Sequence, residues 1–244
     1  MAGERFEDCL FYYSIELPGH GLIHGPWDPR GREDQYTGGV DFAGKSVLEI
    51  GPASGGLTAY IEQRGSKVTC LETSDELSVD ILPIYGWDLA SHKDGSRITL
   101  KRVRAAWNYT QAALGLTATC YYGDVNTLPS KIGKFDISFL GAILLHCKSP
   151  FDVVHQACEA SSDTVIVTDL VWGDMNSTTD PLMRFNPSGS TNVVTWWGIS
   201  PGAITSMLKL HGFFNCATTF HQQIYHEAGT DPVFATMYTV VGRR

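Results

Sequence analysis

The stretch from Ser46 to Leu71 constrains the fold more tightly than any other part of the chain. Ser46-Val-Leu-Glu-Ile50 is an apolar run of strand length that ends in a glycine-rich turn, Gly51-Pro-Ala-Ser-Gly-Gly56. Leu57, Tyr60 and Ile61 then fall on one helical face, Gly65 stops the helix, and Lys67-Val-Thr-Cys-Leu71 is a second strand. Strands joined through a helix run parallel, and a parallel sheet needs cover on both faces. The alternation continues with a polar helix from Leu100 to Leu114 and strands at Ala118–Tyr122 and Phe135–Leu140. A helix at Pro150–Ala160, a strand at Thr164–Thr168 and a helix opened by Ser200-Pro201 and closed at His211-Gly212 follow. Phe214–Phe220 and Val233–Val241 read as an antiparallel pair closing the sheet edge. The predicted fold is α/β: a Rossmann-like doubly wound sheet, mostly parallel, with a C-terminal antiparallel strand pair.

Residues 1–44 show neither period and hold no lysine; they are predicted to be an ordered aromatic arm, or lid, over a domain spanning 45–244. Residues 173–198, rich in Asn, Ser, Thr, Pro and Gly, form an insertion in that domain. The formal net charge of −8 argues against a broad nucleic-acid or anionic-lipid footprint. The longest apolar run, Phe139 to Leu145, is far shorter than the ~20 residues that span a bilayer. The charged start lacks the apolar core of a signal peptide, and six cysteines without a C-x-x-C pair suit reduced thiols. A cytoplasmic protein of unspecified oligomeric state is expected.

The glycine-rich turn invites a nucleotide, and two classes compete. A pyrophosphate needs free N–H donors and close backbone approach. Here Pro52 has no N–H, Ala53 takes the middle position, and Glu49 brings a carboxylate. S-adenosylmethionine has no phosphate but carries an ammonium and a sulfonium, so Glu49 becomes an asset at its methionine end, directly or through water. Glu72, about 20 residues past Gly51, can accept from ribose hydroxyls. Asp124 in Tyr122-Gly-Asp-Val125 can accept from an adenine amino group while Val125 covers the ring. Singly, each acid has an ordinary structural use: Glu49 in a turn, Glu72 as a helix cap, Asp124 in an Asx-turn. Jointly, acids at three successive strand ends favour the cationic, hydroxyl-bearing cofactor.

These stretches resemble class I S-adenosylmethionine-dependent methyltransferases, and more narrowly the branch related to tRNA wobble-uridine (5-carboxymethoxyuridine) methyltransferases. The narrower likeness is carried by Ile15-Glu-Leu-Pro18, Gly25-Pro-Trp-Asp28, Gly44-Lys-Ser-Val-Leu-Glu-Ile-Gly51, Phe135-Asp136, Gly141-Ala-Ile-Leu-Leu-His-Cys-Lys-Ser-Pro150, Trp196-Trp-Gly-Ile-Ser-Pro201 and His211-Gly-Phe213. The resemblance implies a cofactor-binding set of Trp27, Glu49, Gly51, Pro52, Ala53, Gly55, Glu72, Thr73, Asp124, Val125 and Leu140. Carboxymethyl-transferring relatives hold an extra carboxylate with cations. This chain has only Arg5, Arg30 and Arg32 in its arm and Thr191-Asn192 in place of an arginine, so plain S-adenosylmethionine is expected.

The expected acceptor is a hydroxyl on a small molecule or glycan, which needs a base as it attacks. His146, just past the fourth strand, is the candidate, with a loop-bonding histidine as the structural alternative. Asp169 ends the fifth strand and would orient that base, bind acceptor hydroxyls or merely cap a loop. His20 and His24 lack a third ligand, so no metal is expected. Trp27, Trp107, Trp172, Trp196 and Trp197, most of them outside the strand–helix repeat, are the aromatic candidates for an acceptor surface. Lys93, Arg97, Lys101, Arg102 and Arg104 read as a solvated helix face, or alternatively as a site for an anionic acceptor. Three rival functions remain at this stage: a tRNA wobble-uridine modifier, a cofactor-binding regulator without turnover, and a nicotinamide oxidoreductase, the last disfavoured by Pro52 and Glu49.

Overall fold

The computed structural model describes residues 4–129, 131–187, 189, 192–226 and 231–244. The arm holds more regular structure than its pattern suggests. After a 3-10 turn at Phe6–Asp8 come β1 (Ile15–Leu17), β2 (Gly21–Ile23), β3 (Trp27–Asp28) and α1 (Glu33–Tyr36). Strands of two or three residues are too short to establish a period, which is why the sequence hides them.

The predicted βαβ unit is present as β4 (Ser46–Ile50), α2 (Gly56–Gln63) and β5 (Lys67–Thr73). The next helix, α3 (Leu89–Leu114), starts well before Leu100, where the apolar spacing placed it. Asp88 caps it by accepting the Ser91 N–H at 3.1 Å. Its first buried residue is Leu100, so the earlier turns carry no apolar stripe to read. β6 (Thr119–Gly123), β7 (Phe135–Gly141), a 3-10 turn at Leu144–His146, α4 (Pro150–Ala160) and β8 (Ser161–Leu170) follow. The insertion supplies β9 (Met183–Phe185) and β10 (Trp197–Ile199), which pair with each other. Then come α5 (Pro201–Leu210), capped by the Ser200 side chain as expected, β11 (Asn215–Tyr225) and β12 (Val233–Arg243).

The main sheet has the order β3-β11-β12-β8-β7-β4-β5-β6. β8, β7, β4, β5 and β6 are parallel, and β12 runs antiparallel to both β8 and β11. The C-terminal antiparallel pair is therefore present, but it does not close the edge. β3 from the arm pairs outside it, with Asp28 opposite Ile224 and Trp27 opposite Tyr225.

Alternate residues of the central strands feed two core layers. Leu48, Leu140, Val165 and Val167 pack with Val153 and Val154 of α4 and Ile204 and Leu208 of α5. Val47, Ile137, Phe139 and Ile166 pack with Leu57 and Ile61 of α2, Trp107 of α3, and Tyr13, Tyr36, Val40 and Phe42 of the arm. Each such side chain contributes roughly 1.5–3 kcal/mol by leaving water, so the arm is part of the core. The chain leaves β4 toward β5 and β6, then returns to β7 and β8. The crevice beyond β4 and β7 is the switch point where ligands of open α/β sheets bind.

Candidate active site

Three alternate left-handed positions shape the turn after β4: Gly51 (φ 79°), Ala53 (φ 49°) and Gly55 (φ 85°). At Gly51 a Cβ would lie 2.6 Å from the Ile143 side chain, so glycine lets the turn after β7 close against this loop. Ala53 has no such freedom and is held in place by a bond. The Glu72 carboxylate, at the end of β5, accepts the Ala53 N–H at 3.1 Å and the Thr73 N–H at 2.8 Å. Burial pushes the Glu72 carboxyl upward, and these two N–H groups oppose the shift.

Over this edge lies a cavity of about 740 Å³. Gly51, Ala53, Glu72, Thr73, Asp124, Val125 and His146 all line it, together with Ser78–Ile81 and the outer turns of α3. Asp124 also makes the Asx-turn anticipated for it, accepting the Asn126 N–H at 2.9 Å. Both acids thus hold backbone while presenting remaining lone pairs to the cavity. A carboxylate has about four acceptor sites, so the two uses are compatible.

His146 sits where this cavity meets a smaller one of about 30 Å³, lined by Tyr12, Tyr13, Trp27, Tyr36, Leu170 and Met237. Its Nδ1 is 2.7 Å from the Val194 carbonyl oxygen. A carbonyl can only accept, so Nδ1 carries the proton and Nε2 is the bare base. Burial holds the imidazole below its usual pKa range, and the Val194 carbonyl only partly offsets this. This bond ties the ring to the insertion rather than to the loop that follows His146.

Several other expected site residues fall elsewhere. Glu49 is buried behind the loop, accepting the Thr58 hydroxyl at 2.6 Å, and is pushed up to about 7 by desolvation; it does not line the cavity. Pro52 and Leu140 are packed in the interior, and Gly55 backs onto Trp107. Trp27 lines the smaller cavity rather than the larger. Asp169 stands at the right strand end, but its Oδ1 takes the Leu170 N–H at 2.7 Å and it lines neither cavity. Burial raises it to about 7. A strand alternates its faces, so its penultimate residue can point into the core although its successor reaches the crevice.

The aromatic lining also differs from expectation. Trp107, Trp172, Trp196 and Trp197 line neither cavity, and Trp196 and Trp197 donate to the Asp80 and Lys148 carbonyls at 3.0 and 3.3 Å. Tyr12, Tyr13 and Tyr36 of the arm take their place; the arm's aromatic content was the only trace of them in the sequence. The basic cluster on α3 is divided. Lys93 and Arg97 line the large cavity, with Arg97 paired to Asp94 at 2.8 Å. Arg104 pairs with Asp75 at 3.1 Å and lies 4.2 Å from the centre of the Tyr122 ring. Arg30 grips Asp28 through two bonds, at 2.7 and 2.8 Å. Thr191 lies outside the described residues, and Asn192 Oδ1 accepts the Val194 N–H at 3.1 Å.

This strand order, with a glycine turn at the switch point, is the Rossmann-like fold of class I S-adenosylmethionine-dependent methyltransferases. The N-terminal domain of EvdMO1, crystallised in the presence of SAH and D-fucose, aligns over 94% of this chain and 89% of that one, at 19% identity and a TM-score of 0.59. An O-methyltransferase family protein from Burkholderia thailandensis aligns over 88% of this chain and 56% of that one (13% identity, TM-score 0.55). Magnesium protoporphyrin IX methyltransferase (ChlM) from Synechocystis PCC 6803, with bound SAH, aligns over 82% and 75% (14% identity, TM-score 0.51). At these identities the likeness is one of fold. No family model and no curated protein matches the chain.

Proposed function

We propose that the chain is an S-adenosylmethionine-dependent methyltransferase that methylates a hydroxyl of a small molecule or glycan. The observation that carries this reading is His146, a neutral imidazole fixed in one tautomer at the junction of a cofactor-sized cavity and an aromatic one. The residues present suit the cofactor. Glu72 and Asp124 offer acceptors at the ends of the adjacent strands β5 and β6, and Gly51 and Ala53 of the turn after β4 line the cavity on the other side of Glu72. The sulfonium supplies an electrophilic methyl group. Glu72 binds the ribose hydroxyls, Asp124 the adenine amino group, and Val125 covers the ring. The Tyr12, Tyr13 and Tyr36 side chains hold the acceptor and exclude water, and His146 Nε2 takes its hydroxyl proton. The D-fucose in the EvdMO1 domain crystals supports a hydroxylated acceptor of sugar size.

Plain S-adenosylmethionine remains the favoured donor, because Arg30 is committed to Asp28. The cations that line the cavity are Lys93 and Arg97, so a cofactor with an extra carboxylate would be held there rather than by the arm. Among the described residues no helix is long and apolar enough to cross a membrane, and all six cysteines are free, which supports a cytoplasmic setting.

Calorimetric titration with S-adenosylmethionine, its demethylated product and NADH is the direct test, followed by turnover with sugars, phenols and tRNA. The expected result is binding of the first two alone, with methyl transfer to a hydroxylated small molecule. NADH binding without S-adenosylmethionine binding would overturn the reading. Transfer to tRNA, with affinity falling steeply as salt rises, would assign the protein to the wobble-uridine branch.

A further inference from the structure

Away from both cavities, α4 and the end of α5 bring three potential metal ligands together. His155 and Glu159 lie one turn apart on α4, and His211 is the C-cap of α5. One ligand atom from each lies within 4.8 Å of the other two. The His155 and His211 rings are 4.9 Å apart between centroids and tilted by 43°, so both can turn a nitrogen toward a common point.

The surroundings favour a bound cation. His211 Nε2 is buried and makes no hydrogen bond to the described residues, an unusual condition for a polar nitrogen that calls for a partner. Glu159 sits in the last turn of α4 and His211 caps α5, so the negative ends of both helix dipoles lie near the cluster. The nearby cations are engaged with backbone: Lys134 Nζ donates to the Glu159 carbonyl, and Arg244 to the Cys158 carbonyl at 3.5 Å.

We propose that His155, Glu159 and His211 form a binding site for a divalent transition-metal ion, best matched by Zn²⁺, that staples α4 to α5. Two imidazoles and one carboxylate are a borderline donor set that suits zinc, whereas Mg²⁺ and Ca²⁺ favour oxygen ligands. Bonds of ~2.0–2.1 Å in a tetrahedral site put ligand atoms about 3.3 Å apart. Side-chain rotation at this half-exposed position closes the remaining gap. The cluster's exposure leaves the fourth position to water. Sequence inspection misses the site because His211 lies far along the chain from the His-x-x-x-Glu pair.

The test is titration of the protein, with any polyhistidine tag removed, by ZnCl₂ against a chromophoric chelator. Wild type is expected to take up one equivalent with micromolar or tighter affinity, and MgCl₂ is expected not to compete. His155→Gln, Glu159→Gln and His211→Ala should each weaken binding roughly tenfold to a hundredfold. Zinc should raise the Tm of wild type, EDTA should reverse the rise, and the variants should show neither change. His155 and Glu159 are accessible positions, so their variants keep the test valid if His211→Ala fails to fold. Sub-stoichiometric uptake by wild type would overturn the proposal. So would affinity left unchanged by Glu159→Gln and His155→Gln, which would place the ion on thiols or other histidines.

Discussion

The Glu72 carboxylate accepts the N–H of Ala53, a non-glycine residue held in the left-handed region at φ 49°. One side chain at the end of β5 therefore fixes the shape of the turn after β4. The acid proposed to bind ribose also props up the floor on which the cofactor would lie, and the two roles can be separated experimentally.

Glu72→Ala should leave the Ala53 and Thr73 N–H groups without their acceptor and remove the ribose partner. Each unpaired donor costs about 1–3 kcal/mol where water cannot replace the carboxylate. A lowered denaturation midpoint is expected, together with a tenfold to hundredfold loss in SAH affinity by calorimetry. Glu72→Gln keeps one carbonyl oxygen for the loop, so it should recover much of the stability and little of the affinity. Unchanged SAH binding in the alanine variant would remove Glu72 from the cofactor site.

His146→Ala should leave cofactor affinity nearly intact and lower turnover by ~10²–10⁴, the usual contribution of a positioned base. The loss should shrink for an acceptor already ionised at the assay pH. Burial depresses the imidazole, so in wild type kcat/KM should rise with pH along a limb that lies below 6.5 and then level off. A limb at or above that value, or a variant that loses SAH binding together with turnover, would assign His146 to holding Val194 and the insertion instead.

Asp169 gives a stability prediction with a definite sign. Its folded pKa is raised to about 7 from an ordinary 3.8. As pH rises through that interval the unfolded chain releases the proton first. The stability that the protonated group permits is complete below about 3.8 and is lost by about 7. Asp169→Asn keeps an oxygen for the Leu170 N–H without the buried charge. It should be more stable than wild type by on the order of 2–4 kcal/mol at pH 8 and nearly equal to it at pH 4. Urea midpoints at the two pH values measure this; a gain at pH 4 as large as at pH 8 would show that ionisation is not the cause.

The sequence by itself determined the sheet and most of its acidic edge. Uninterrupted apolar runs such as Ser46–Ile50, separated by helical spacing and glycine turns, admit little besides a parallel α/β sheet. That topology carries Glu72, Asp124 and His146 to one edge whatever the details. Only the tertiary structure decided which chemically suitable residues reach the crevice. Glu49 and Asp169 have the right chemistry at the right strand ends, but the pleat and packing turn them into the interior. Tyr12, Tyr13 and Tyr36 belong to an arm too irregular to show a period, yet its β3 adds to the sheet edge beside β11 and the arm's tyrosines come to lie beside His146. The first turns of α3 carry no apolar stripe, because one side faces water and another faces the cavity. Periodicity records what is buried against the core, so it is blind to surfaces kept open for a ligand and to contacts such as His146 with Val194 that join distant segments.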